Sequence, residues 1–272
     1  NNRGESMPSL YAHYLFGEKC IAKFPQELQK IVNDNRKFYD LGTSGGDLLF
    51  YYKPYKKNEV RSYGSKLHRE NAIAQLETFR EKAVDSCSKE SDIAFIAGYY
   101  THFILDSRSH PFIEKMQAEG VARHFVIETD YDRKLLIKHG EDPFDNKYLR
   151  FQVSDKSTQE VVAKYLNTTP NNIKKTLKDR KKYLKCISNQ NKLWRKFLIF
   201  VFKASGNELG LEILVQKEEN DKCAEVRNTL DKLFLDALVE VEKTAGEFWD
   251  FIVEGKKLGE RFDCDFYLRP VE

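Results

Sequence analysis

The chain has 272 residues, 41% of them apolar and 13% aromatic, with 32% charged and a formal net charge of +3. That length supports one sizeable core, and a charge so near balance argues against nucleic acid as the main partner. The longest apolar run, residues 197–202, is far short of the roughly 20 residues that span a bilayer, and five scattered cysteines (Cys20, Cys87, Cys186, Cys223, Cys264) without a CxxC pair read as reduced thiols.

Residues 1–6, NNRGES, read as an expression-tag remnant, and residues 7–272 as a single helical domain with a metal-ligand half (7–138) and a helical C-terminal half (139–272). No basic-then-apolar leader follows Met7, so the chain is read as cytoplasmic, with peripheral membrane contact as a secondary expectation. Pro8 and Ser9 open a first helix through residue 24 that carries His13. Pro25 suits the first turn of a second helix with Leu28, Ile31, Val32 and Phe38 at helical spacing, stopped by Gly42. In the following stretch, TSGGDLLFYYKPY, Gly45 and Gly46 form a tight loop that presents Asp47, either as a ligand or as a helix cap. Tyr51, Tyr52 and Tyr55 come next and suit a cleft wall and ordinary packing about equally. Residues 65–86 form a third helix, with His68 in its first turn.

Residues 91–111, SDIAFIAGYYTHFILDSRSHP, place His102, Asp106 and His110 at successive spacings of four. Steps of four return to nearly the same helix face. Ser91 or Asp92 is the expected N-cap and Pro111 the expected end. Apolar residues fill the rest of the girth, so this helix is expected to be buried, and buried ionisable groups are costly unless paired or metal-bound. After Gly120, residues 121–139 form another helix, on which His124 and Glu128 repeat the four-residue spacing and Asp132 continues the face. Residues 141–155 read as a loop. Helices follow over residues 157–166, 170–186, 189–205 and 217–255, then an extended tail, FDCDFYLRP. The basic helix at residues 171–185 is read as a solvated face rather than a contact for lipid or polyanion. Residues 193–202 are read as a buried core helix rather than an interfacial anchor. The architecture is therefore all-α.

The candidate donors are His13, Asp47, His68, His102, Asp106, His110, His124 and Glu128. A lone histidine on an apolar face is usually a satisfied core residue; five of six in helices, several spaced four from a carboxylate, point to metal. Nitrogen and carboxylate donors in this number exceed one tetrahedral ion and suit two or three that share a carboxylate. Asp130 and Asp132 are candidates to accept hydrogen bonds from ligand N–H groups, with a surface ion pair to Arg133 or Lys134 as the alternative for Asp132.

The segments MPSLYAHYLFG, GGDLLFYY, the HR at His68, HFILDSRSHP and HFVIETDYDR occur in order between Met7 and Lys138. Together they resemble the zinc-dependent phospholipase C family, which is similar to the zinc single-strand nucleases. The resemblance implies an all-helical bundle around a zinc cluster of two or three ions. One ion would take Asp47, His68, His102 and Asp106; a second would take His110, His124 and Glu128; a third would take His13 and share Asp106. It implies phosphodiester hydrolysis by a zinc-activated hydroxide, with Asp47 as the candidate catalytic base. The expected substrate is a phospholipid head group or a small diester. The positions of the family's choline-caging aromatics are Leu48 and Ser65 here, which argues against a choline-lipid preference. A single-strand nuclease and a non-catalytic metal-binding scaffold are the alternative readings.

Overall fold

Helical periodicity governs the chain throughout. The computed structural model describes residues 10–206, 211 and 214–271, and among these only helices, 3-10 turns and loops occur. In chain order the helices are α1 (Tyr11–Cys20), α2 (Gln26–Asp34), α3 (Arg36–Gly42), α4 (Glu59–Leu67), α5 (Ala72–Val84), α6 (Lys89–Ala118), α7 (His124–Lys138), α8 (Lys156–Tyr165), α9 (Pro170–Ser188), α10 (Lys192–Ala204) and α11 (Ala224–Glu254). They form one all-α domain around a continuous core. No helix among the described residues is long and apolar enough to cross a membrane, and all five cysteines are free.

Several expected boundaries move. The expected first helix begins at Pro8 and Ser9, which lie outside the described residues, as does the 1–6 segment; α1 ends at Cys20 and tightens into a 3-10 turn, Ile21–Lys23. The expected second helix breaks at Asn35, whose φ of −120° and ψ of 34° leave the helical region. The expected third helix is two, because two asparagines compete for the backbone. Asn58 caps α4 through Arg61 N–H, and Asn71 caps α5 through Ala74 N–H. His68 therefore follows the end of α4 instead of opening a helix. The last long helix begins at Ala224, after a 3-10 turn at Asp221–Cys223. The tail is not extended: it folds through a 3-10 turn, Glu260–Phe262, and a turn held by Asp265.

The largest correction concerns α6, which runs for 30 residues straight through Pro111. Its start lies before Ser91, and Asp92 is no cap: it is fully buried and paired with Lys164 at 2.7 Å. A proline inside a helix costs about 3 kcal/mol in lost hydrogen bonding and clash. Packing offsets that, since α6 is the axis against which α1, α2, α3, α5 and α11 all lie. Side chains from Asp92 to Ser107 are buried without interruption.

The contact between α3 and α6 is backbone on backbone. A Cβ on Gly98 would sit 2.2 Å from the carbonyl oxygen of Tyr39, and one on Gly42 would sit 2.2 Å from that of Phe95. Only glycine at both positions lets the chain leave α3 directly beside His102. Gly98→Ala is accordingly expected to lower stability by about 1–3 kcal/mol in urea unfolding; an unchanged midpoint would contradict this close-packed contact.

Candidate metal centre

His102, Asp106 and His110 project from one face of α6, and at ~1.5 Å per residue they span ~12 Å of its axis. Asp106 is the middle group. Its carboxylate meets His13 Nε2 at 3.1 Å, His102 Nε2 at 3.2 Å, His110 Nε2 at 3.4 Å and His68 Nε2 at 3.7 Å. Toward one end of the stripe, Asp47 lies 2.9 Å from His68 Nε2 and 3.9 Å from His102 Nε2. Toward the other, Glu128 lies 3.1 Å from His124 Nε2 and 3.8 Å from His110 Nε2. The structure thus brings together all eight side chains singled out in the sequence. His124 is the least enclosed, with 12% of its side chain exposed; the other seven are buried.

Local structure explains each placement. Gly45 has a φ of +48°, and a Cβ there would lie 2.1 Å from the His102 ring. That glycine permits the 3-10 segment Gly45–Tyr51, which carries Asp47, to press against α6. His68 gives its Nδ1 to the carbonyl of Gly64 at 2.8 Å, which leaves Nε2 facing the carboxylates. His13 is set by the start of α1, whose Leu10, Tyr11 and Ala12 N–H groups all donate to Asp132 at 2.8–3.0 Å. Asp132 is thus the cap of the His13 helix, a role its sequence position did not suggest. Asp130 does not orient a ligand either: it accepts from Arg227 and from the Asn220 N–H.

Two contributors escaped sequence reasoning, the C-terminal tail and Arg180. Phe266 in the tail is fully buried, with its ring 5.0 Å from that of His68 and 5.7 Å from that of His102. Tyr267 stacks on His110 at 4.7 Å. The tail is fastened there by Arg261, which donates to Ser107 of α6 and to Glu240 of α11. Nothing periodic marks such a segment. Arg180 is the other. It is wholly buried, donating to Ser44 Oγ at 3.0 Å and to Gln152 Oε1 at 2.8 Å. Burial brings its pKa down to about 10. Here a signal existed: Arg180 falls in register with Ile173, Leu177 and Leu184 on the apolar stripe of α9, all four buried.

The donors form two groups with ligand atoms within 4.8 Å of one another: His13, Asp47, His102 and Asp106 in one, His110, His124 and Glu128 in the other. His13 falls in with Asp47 and His102 rather than apart from them, and His68 borders that first group. Each group could hold a metal ion. Among the buried side-chain atoms without a hydrogen bond of good geometry are His68 Nε2, His102 Nε2, Asp106 Oδ2 and His110 Nδ1, and such orphans are rare in folded proteins. With neutral imidazoles the set carries three negative charges, which divalent cations offset. Oxygen and nitrogen donors without a thiolate suit zinc and similar first-row ions.

No family model matches the chain, and neither a curated protein nor a solved structure does. The likeness to the zinc-dependent phospholipases C therefore rests on the motifs and on these buried donors.

Protons compete for the same atoms. Burial opposes charge on His68, yet Asp47 and Asp106 outweigh it and push the pKa up to about 9. Burial likewise favours a neutral Glu128, but His124 and His110 bring it down to about 2. Burial also disfavours the Asp106 charge, and His110, His102 and His13 nevertheless hold its pKa well below the usual carboxylate range. His102 is driven well below the ordinary histidine value by burial and by its imidazole neighbours. A raised histidine pKa contributes stability below its unfolded value, near 6.5, that is lost as pH rises through the folded value. Metal-free protein is therefore expected to lose thermal stability between about pH 6.5 and 9, while the apparent affinity of the groups for a divalent metal rises over the same window as the protons leave. Melting curves with and without chelator, across pH, check both. A flat metal-free profile would contradict the proton occupancy of His68.

Proposed function

We propose that the chain is a divalent-metal-dependent phosphodiesterase, of zinc-dependent phospholipase C type, acting on a phospholipid head group or a related small diester. The observation that carries this reading is the pair of adjacent buried donor groups meeting at Asp106. Ions bound there would supply Lewis acidity to a phosphoryl oxygen and lower the pKa of water toward neutrality.

The chain's own residues do the rest. His13, Asp47, His68, His102 and Asp106 would hold one part of the cluster, with Asp106 shared, and His110, His124 and Glu128 the other. Asp47 sits on the 3-10 segment Gly45–Tyr51, where its carboxylate would orient an attacking water and take its proton; burial raises its pKa, with His68 opposing. Phe266 covers His68 and His102 from the tail side and keeps bulk water from their rings. The tyrosines of the expected cleft separate: Tyr51 is buried beneath Arg180 and Tyr183, whereas Tyr55 is 78% exposed. A buried Tyr51 cannot stack an incoming base, which leaves only Tyr52 and Tyr55 for that role in a single-strand nuclease. The burial of seven of the eight donors favours one other reading, a closed metal site with a structural role.

Metal analysis with a diester panel separates the two. The protein is expected to bind zinc and to hydrolyse bis(p-nitrophenyl) phosphate or a glycerophospholipid. Asp106→Asn and His102→Gln are each expected to lower bound zinc and cut turnover by at least about 100-fold. Full zinc content with no turnover on any diester would establish the scaffold instead, and unchanged zinc in both variants would sink the site.

A further inference from the structure

The helix α10 does not lie where its composition places it. Residues 193–202, LWRKFLIFVF, read as a core segment, yet Leu198 is the only buried side chain of α10. Leu193 is 78% exposed, Phe200 70%, Phe197 54%, Val201 38% and Trp194 36%. At ~100° per residue these five fall in one arc of about 120°. Lys192, Lys196 and Lys203 share an adjacent arc of about 40° and are exposed. The remaining side, carrying Leu198, Ile199 and Phe202, packs on the protein. The helix contains no acidic residue.

Its orientation is built in. Asn191 caps it through the Leu193 and Trp194 N–H groups. Arg195, on the protein side, donates to the carbonyl of Val215 at 3.0 Å and to Gln216 Oε1 at 3.3 Å. The Trp194 indole donates to the carbonyl of Cys186, at the end of α9, at 3.2 Å. With the basic and inward sides both assigned, the apolar arc faces outward.

We propose that α10 docks this protein on the surface of an anionic lipid bilayer. Three properties select that occupant. The outward arc combines Trp, Phe and Leu, which partition into the boundary between head groups and acyl chains. The lysine strip runs alongside it for the length of the helix, placed to reach phosphate head groups while the arc inserts. The absence of acidic side chains removes the repulsion that an anionic surface would impose. At ~20 Å the helix is too short to span and suited to lie in the plane of the interface. The proposal stands on α10 alone and holds whether or not the buried donors catalyse anything.

Co-sedimentation with phosphatidylcholine vesicles, with and without about 30% phosphatidylserine, tests it on the full chain. Binding is expected to be at least ~10-fold stronger with phosphatidylserine, to weaken with added salt, and to blue-shift the tryptophan emission. The double variant Phe197→Glu/Phe200→Glu changes only exposed positions. It is expected to lose at least ~10-fold in vesicle affinity with circular dichroism and bound zinc unchanged. Should it misfold, Lys192→Glu/Lys196→Glu is expected to abolish the phosphatidylserine preference. Failure of the wild-type chain to bind anionic vesicles would overturn the proposal, as would binding that survives both variants. Concentration-dependent self-association without vesicle binding, dispersed by Phe197→Glu/Phe200→Glu, would overturn it in favour of an interface between copies.

Discussion

A single carboxylate, Asp106, facing four imidazoles inside the protein is the interaction on which the rest depends. Taking an ion out of water costs several kcal/mol, and an unpartnered polar atom in the interior adds ~1–3 kcal/mol. Protons satisfy this set only in part, since His68 Nε2, His102 Nε2, Asp106 Oδ2 and His110 Nδ1 keep no hydrogen bond of good geometry. The carboxylates need positive partners, the imidazoles crowd one another, and several of their atoms find no hydrogen bond. Cations placed between the donors resolve both problems with one set of contacts. The fold holds the donors in that unfavourable proximity, and this is the strongest physical reason to regard the centre as built for metal.

Much of the surrounding structure serves to keep the donors there. The Gly42–Gly98 contact sets α3 against α6, so the chain turns directly into the segment bearing Asp47. Arg180 holds Ser44, just ahead of that segment, from the α9 side. Asp132 fixes the start of α1 and so the height of His13. Arg261 and Glu240 tie the tail to α6 and α11, which seats Phe266 over two of the histidines. These supports come from both halves of the chain, although all eight donors lie in the first half.

The donors were legible because their spacing is chemical as well as helical. Steps of four on α6 and α7 place side chains on one face whatever the tertiary structure does, and a carboxylate in register with imidazoles has few bland explanations. Helix ends were less legible. Asn58 and Asn71 divide what periodicity reads as one helix, and the continuation of α6 past Pro111 depends on neighbours that local pattern does not describe. The tail was illegible in principle, since its role comes from long-range pairs of Arg261 with Ser107 and Glu240. The α10 helix misled because an apolar run signals burial only when a partner covers it. Its lysine strip was the available sign that one side faces outward.

The central claim is that metal occupies the space around Asp106. Crystals grown with zinc and measured at the zinc absorption edge would test it most directly. The account predicts one anomalous peak among His13, Asp47, His68, His102 and Asp106, and another among His110, His124 and Glu128. A map without a peak at either place, in a crystal whose other zinc contacts are visible, would contradict it.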